Sequence, residues 1–326
     1  MANMPPIDPN VDPYGYLGIL KNSDNSITRA IELFTNSPAC SDPNLPVLSK
    51  DITINPASNT WARVYLPKQY CDSNPKVKLP LLVYYHGGGF ILCSTANSRF
   101  HEFCSDLACY IPVIVVSVEY RLAPEHRLPA AYDDGIEALH WIKTTNDEWL
   151  TEFADFSRCF LMGGSAGGNI AYHVGLRAAS SGGDLWPLKI QGLVLQQPFF
   201  GGVERTASEV RLTNDKILPC GVSDVMWELA LPLGVDRDHK YSNPRVDIQA
   251  EAFEEMKSRD WRVLVTGCEG DPLIDRQRDV MSLLEENGVQ VVGRFDEGGC
   301  HGIDFFDKSR SKISAQLLGD LIGFSV

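Results

Sequence analysis

Ser165 stands at the centre of Gly163-Gly164-Ser165-Ala166-Gly167. It lies directly behind the apolar run Cys159-Phe160-Leu161-Met162 and ahead of a helix-compatible stretch beginning Gly168-Asn169-Ile170-Ala171. A strand feeding G-x-S-x-G and then a helix is the pattern of a nucleophile elbow. The turn is so tight that small residues must flank the serine, and its strain pushes the hydroxyl out to where a base and a substrate can reach it. The same pentapeptide arises by chance in glycine-rich chains, so the reading depends on partners: amide donors for an oxyanion, a base and an acid.

The donors are expected upstream. His86-Gly87-Gly88-Gly89-Phe90 follows the apolar run Leu81–Tyr85 without a break. Consecutive glycines let the backbone fold back and aim N–H groups at a ligand that side chains would obstruct. Gly87, Gly88 and Gly89, completed by the N–H of Ala166, are therefore the expected oxyanion hole. The plainer reading, a tight strand-to-loop turn, loses ground because the loop lies upstream of an elbow. His86 is expected to hold the loop in shape rather than to transfer protons.

The acid and base are expected downstream. The run Arg262–Thr266 leads into Gly267-Cys268-Glu269-Gly270-Asp271-Pro272-Leu273-Ile274-Asp275. Asp271, with Pro272 fixing the turn, is the expected acid. Glu269 reads as an exposed loop carboxylate, and Asp275 as a carboxylate at a helix start, where it favours the dipole. Val289–Phe295 leads into Asp296-Glu297-Gly298-Gly299-Cys300-His301-Gly302, and His301 is the only histidine beyond Asp271. The order Ser165, Asp271, His301 is that of α/β-hydrolases. In this scheme His301 takes the serine proton, and Asp271 holds the imidazole tautomer and stabilises the imidazolium. No His/Cys cluster has convincing metal-ligand spacing; His101, Cys104 and Cys109 fall on a helical stretch and read as packing residues. Neither metal nor organic cofactor is expected.

Elements must position these groups. Leu81–Tyr85, Val113–Val118, Cys159–Met162, Ile190–Leu195, Arg262–Thr266 and Val289–Phe295 read as buried strands. Between them Tyr132, Ile136, Leu139 and Ile142 recur at helical spacing, as do Val280, Leu283 and Leu284 before Gly288, and Ile313, Leu317, Leu318, Leu321 and Ile322 near the end. The alternation predicts an α/β fold, a mostly parallel sheet with helices on both faces, in a single domain over 1–326. Asp51–Ile54 and Trp61–Tyr65 read as a leading antiparallel hairpin. Two segments stand outside the alternation: about 1–42, and 201–244 with its apolar cluster Ile217, Leu218, Pro219, Trp227, Leu229, Leu231, Pro232 and Leu233. The second is expected to cover the site as a lid; the alternative is a helix packed on the surface.

Composition narrows the partners. The chain has 326 residues, 44% hydrophobic and 22% charged, with a net charge of −13. That balance, without a basic run, argues against nucleic acid and anionic membranes. The longest apolar stretches, Leu79–Tyr85 and Ile111–Val118, are too short to span a bilayer, and Met1–Asn10 lacks the apolar core of a secretory signal. Nine cysteines without regular spacing fit reduced thiols and a cytoplasmic protein.

With these residues in view the chain resembles the plant carboxylesterases of the hormone-sensitive-lipase-like branch of α/β-hydrolases. The resemblance covers nearly the whole chain and rests on YYHGGGF at Tyr84–Phe90, VEYRLAPEHRLPAAYDD at Val118–Asp134, GGSAGGNIAYH at Gly163–His173, GDP at Gly270–Pro272 and GGCHG at Gly298–Gly302. It implies an α/β-hydrolase fold with a helical cap built from the N-terminal segment and the 201–244 insertion. It also implies that the Arg121–Asp134 segment braces the active-site loops, with His126 structural. Two positions depart from the family pattern: the residue before the nucleophile, usually acidic, is Gly164, and Cys300, expected to pack, precedes His301. The expected function is hydrolysis of a small hydrophobic carboxylic ester through an acyl-enzyme. Relatives recruited to specialised metabolism as lyases, cyclases or ester-cleaving, decarboxylating enzymes give an alternative. The related gibberellin receptors, which lack the catalytic histidine, give a less fitting one. Oligomeric state is left open.

Overall fold

The computed structural model describes residues 12–24, 26–30, 34–71 and 77–323. Strands β1 (Ile19–Lys21) and β2 (Ile27–Arg29) pair as a small hairpin of their own. The remaining strands are β3 (Val47–Asn55), β4 (Thr60–Pro67), β5 (Leu79–Tyr85), β6 (Ile114–Glu119), β7 (Ala154–Gly164), β8 (Ile190–Gln196), β9 (Arg262–Cys268) and β10 (Gln290–Asp296). They form one eight-stranded sheet in the order β10-β9-β8-β7-β5-β6-β4-β3. β3 and β4 pair antiparallel, β4 runs antiparallel to β6, and every other pairing is parallel.

Alternation along β5 sorts its side chains into two layers, as the two-residue period of a strand requires. Leu81, Val83 and Tyr85 join one buried cluster, with Leu139, Ile142, Ile170, Val174, Val280 and Leu283 from helices Ala130–Thr144, Ala166–Ala179 and Ile274–Glu286. Leu82 and Tyr84 join the other, with Phe103 and Leu107 from helix Ser98–Tyr110 and Leu318 and Leu321 from helix Lys308–Ile322. Both faces are thus covered, and β5 is buried along its whole length.

The expected strands are all present, with shifted ends. β7 begins at Ala154, well before Cys159, because Ala154 and Asp155 already pair with Leu79 and Pro80 of β5 ahead of a register shift to Leu81 and Cys159. The expected buried strand over Val289–Phe295 is instead the sheet's edge: among the described residues β10 pairs with β9 alone, and its residues alternate between exposed and half-buried. The chain passes from β5 to β6 on one side and then crosses back to β7 on the other side of β5. The parallel strand ends diverge at that switch point, which leaves a crevice at their carboxyl ends.

The 201–244 insertion contains helices Ala207–Arg211 and Cys220–Ala230. The N-terminal segment docks on it: the Tyr16 hydroxyl donates to the Lys216 carbonyl, and Lys21 lies 3.9 Å from Glu228. The portions of the expected cap at 1–11, 25 and 31–33, and the Met1–Asn10 stretch, lie outside the described residues.

Candidate active site

The site begins with a steric demand. Register pairs Tyr85 of β5 with Gly163 of β7, so the loops leaving both strands start side by side. A Cβ on Gly167 would sit 1.9 Å from the Tyr85 carbonyl oxygen, and one on Gly163 would sit 2.2 Å from the Gly167 carbonyl carbon. Only glycine fits at either place. Between them Ser165 is held at φ 55°, ψ −120°, a strained backbone for a residue with a side chain. Its N–H donates to the Gln196 carbonyl at 2.9 Å, and its carbonyl accepts from the Phe199 N–H at 2.9 Å, so neighbouring β8 fixes the turn.

The structure brings the three expected side chains together. The Ser165 hydroxyl donates to His301 Nε2 at 2.8 Å, and His301 Nδ1–H donates to Asp271 Oδ2 at 2.8 Å. They arrive from loops after β7, β10 and β9. Asp271 is fully buried, and its Oδ1 accepts from the Leu273 N–H at 2.9 Å. Burial pulls the His301 imidazolium pKa down, but the charge and hydrogen bond of Asp271, with a smaller push from Asp215, outweigh it and leave it raised. The other two carboxylates of the loop are engaged elsewhere: Glu269 pairs with Arg278 on the surface, and Asp275 accepts from the Ser208 N–H at 2.7 Å.

The glycine loop lies against the serine. Gly88 has φ +118° and Gly89 φ +61°, and a Cβ on Gly87 would lie 3.4 Å from the Ser165 Cβ. Among the described residues, the N–H groups of Gly87, Gly88, Gly89 and Ala166 donate to no other residue. Helix Cys220–Ala230 of the insertion closes on this loop: a Cβ on Gly89 would meet Met226 Sδ at 2.3 Å, and Trp227 packs on Phe90 with ring centroids 5.4 Å apart. His86 is buried, stacks on Tyr120 at 4.3 Å and donates from Nδ1 to the Gly87 carbonyl at 2.7 Å, while Tyr120 donates to the His86 carbonyl at 2.8 Å. Burial drops the His86 pKa to about 4, so the ring is neutral and holds loop shape. Beside it burial raises Glu119 to about 7, against hydrogen bonds from Thr95 and Ser94.

Several groups at the site carry no signal of their own in the sequence. The Gln197 amide, the Gln277 amide and the Asp215 carboxylate of the 201–244 insertion all act on the Asp271–His301 pair. Phe305 explains the missing acid before the serine. A Cβ on Gly164 would meet its ring at 2.7 Å, and Phe100 and Phe103 fix that ring edge-on at 5.1 and 5.2 Å. Cys300 is half-buried, and burial raises its thiol pKa. His101 hydrogen-bonds Arg63 at 3.2 Å and Tyr65 at 3.1 Å. Arg121 is bound to Asp134 through its backbone N–H at 2.8 Å and its guanidinium at 2.6 Å, so these two close the Arg121–Asp134 segment, whereas the His126 side chain is exposed. Among the described residues, no cluster of three or more His, Cys, Asp or Glu is placed to hold a metal ion.

A strained serine at a strand-to-helix turn, with aspartate and histidine from the loops after two later parallel strands, defines a serine hydrolase on a doubly wound sheet. Residues 82–305 match the profile of a family described as having the α/β-hydrolase fold. Over 308 residues the chain is 53% identical to carboxylesterase 20 of Arabidopsis thaliana, covering 93% of this chain and 94% of that protein. It is 46% identical over 305 residues to a 3-O-acetylpapaveroxine carboxylesterase of Papaver somniferum, covering 91% and 92%. The solved esterase of Pyrobaculum calidifontis superposes with a TM-score of 0.70 at 28% identity, covering 86% of this chain and 87% of that one. The chain belongs to the plant carboxylesterases of the α/β-hydrolase fold, and it is a serine ester hydrolase.

Proposed function

We propose that Ser165 is the nucleophile, His301 the general base and acid, Asp271 the orienting carboxylate, and Gly87, Gly88, Gly89 and Ala166 the oxyanion donors. The observation that carries this is the continuous hydrogen-bond chain from Ser165 through His301 to Asp271, 2.8 Å at each step, beside backbone N–H groups with no partner among the described residues. Ser165 Oγ attacks the ester carbonyl carbon while its proton passes to His301 Nε2, and the carbonyl oxygen, now negative, faces the free N–H groups. Collapse of the tetrahedral intermediate breaks the bond to the alkoxide, which leaves with the proton from His301. Water then gives a proton to His301 and attacks the acyl carbon; Ser165 leaves and recovers its proton.

The substrates we infer are small, uncharged esters that enter beneath a cap made of the N-terminal segment and the 201–244 insertion. Two features support this: Met226 and Trp227 from that insertion pack against the glycine loop, and Asp215 puts negative charge near the base. The name of the poppy relative makes O-acetyl esters the first class to assay, and a place in specialised metabolism follows from the same likeness. We infer a cytoplasmic location, the compartment in which nine cysteines without regular spacing stay reduced.

The test is Ser165→Ala, which should abolish p-nitrophenyl acetate hydrolysis while the protein stays folded. Turnover by that variant at more than a trace would end the proposal.

A further inference from the structure

Gln197 follows the last residue of β8 and sits where no glycine is available, at a positive φ of 40°. Its backbone N–H donates to the Thr266 carbonyl of β9 at 3.0 Å, which ties the end of one strand to the next. This left-handed backbone conformation is unusual for a residue with a long side chain, and such positions persist where their surroundings demand them.

The side chain then does three things at once. Nε2 donates to Asp271 Oδ2 at 2.9 Å and to the Cys300 carbonyl at 3.1 Å; Oε1 accepts from the Gly302 N–H at 2.9 Å. Cys300 and Gly302 are the two chain neighbours of His301. One amide therefore grips the histidine loop immediately before and after the imidazole, and with its other hydrogen holds the carboxylate that the imidazole bonds. The partners leave no ambiguity in the amide's orientation, since a backbone N–H can only donate and a carboxylate or carbonyl can only accept. Gln197 is almost wholly buried, so water offers no substitute for these bonds.

We propose that Gln197 is the positioning residue of this site, a clamp that sets the His301 imidazole relative to Asp271 and so to Ser165. The proposal rests on the triad reading given above. Gln277 cannot play the same part. Its Nε2 reaches Asp271 Oδ2 at 2.8 Å, but among the described residues its Oε1 has no hydrogen-bond partner. Gln277 therefore steadies the acid alone.

Two variants of the full-length protein test this, with kcat, KM and the pH profile measured on p-nitrophenyl acetate. Gln197→Leu keeps most of the volume and loses these three bonds together with one from Nε2 to Cys268 Sγ at 3.3 Å. The imidazole is then free to drift, and kcat should fall roughly 100-fold while KM stays within about 3-fold, since misplacements near 1 Å cost that much. Gln197→Glu keeps the acceptor for Gly302. Two carboxyl groups this close share a proton, so at low pH the new side chain still donates to Asp271. As it ionises, its charge holds the proton on His301, and the acid limb of kcat/KM should move up by about one unit or more. The groups that bear on that limb are Asp271 and Asp215 around His301, with the Cys268 and Cys300 thiols beside Asp271.

Wild-type kcat in Gln197→Leu, or an unmoved acid limb in a folded and active Gln197→Glu, overturns the proposal. Gln197→Glu also covers the case in which Gln197→Leu fails to fold. Phosphonate labelling of Ser165 and loss of activity in Ser165→Ala separate the two levels. If either fails in the parent protein, the triad reading fails. If both hold, the Gln197 results bear on the clamp alone.

Discussion

Replacing Asp271 by asparagine asks which part of the carboxylate matters. The donors around it are unevenly shared. Among the described residues His301 Nδ1, Gln197 Nε2 and Gln277 Nε2 converge on Oδ2, while Leu273 N alone faces Oδ1. An amide has one acceptor end. Turning its oxygen toward Oδ2 keeps three bonds, whereas turning it toward Oδ1 keeps one, so the NH2 should point at Leu273. Facing two donors there should cost about 1–3 kcal/mol of stability. The histidine, however, should keep its proton on Nδ1. Where the same exchange in serine proteases leaves the wrong tautomer, the loss is roughly 10⁴-fold. Here the loss should be that of the charge alone. A unit charge about 4 Å from the imidazolium is worth about 4 kcal/mol at an effective dielectric near 20, which sets the loss in kcat at roughly 10²–10³-fold.

The pH profile supplies the second reading. The base works as neutral imidazole, so activity falls as pH drops through the His301 pKa, which Asp271 raises. In Asp271→Asn that support is gone, and the acid limb should move to lower pH. Steady-state kinetics across the pH range, with thermal melts to confirm folding, measure both effects. A loss of 10⁴-fold or more with the limb unmoved or raised would show that the tautomer had inverted and that the donor count had misled.

Other outcomes follow from single contacts. Asp215→Asn keeps an oxygen for the Ile217 and Leu218 N–H groups, each at 2.8 Å, and removes only charge. Because that charge helps to raise the His301 pKa, the acid limb of kcat/KM should slide to lower pH with the plateau intact; a limb that stays or rises refutes the coupling. Gly164→Asp should drive Phe305 off Gly164, at a cost of about 1–3 kcal/mol for overpacking. Adding Phe305→Ala should recover part of that cost in a double-mutant cycle, and additive melting shifts would count against the contact.

Much of this was legible in the sequence. Ser165, Asp271 and His301 each follow an apolar run and sit among glycines or beside a proline, so local pattern alone sets them in loops after strands. The triple glycine after Tyr85 is readable for the same reason. Gln197 and Gln277 carry no such mark, because a glutamine becomes informative only when strands far apart in sequence bring a carboxylate and two backbone groups to it. Sheet order is equally hidden: Val289–Phe295 has the composition of an interior strand, and nothing local says that β10 has a neighbour on one side only. The ring packed against Gly164 is just as hidden, because Phe305 lies 141 positions further along the chain.

The exposed edge strand gives the protein an order of failure. His301 hangs from the loop after β10, the strand held on one side only, whereas Ser165 and the glycine loop sit on β7 and β5 near the middle of the sheet. Edges loosen at lower free energy than centres. When the fold is stressed, the base should therefore be shed first, from a molecule whose nucleophile and anion pocket are still in place. Such a molecule can admit an ester and hold it, yet not turn it over. Whether a preparation counts as alive or dead is thus decided at the rim of the sheet, while most of its secondary structure is still intact.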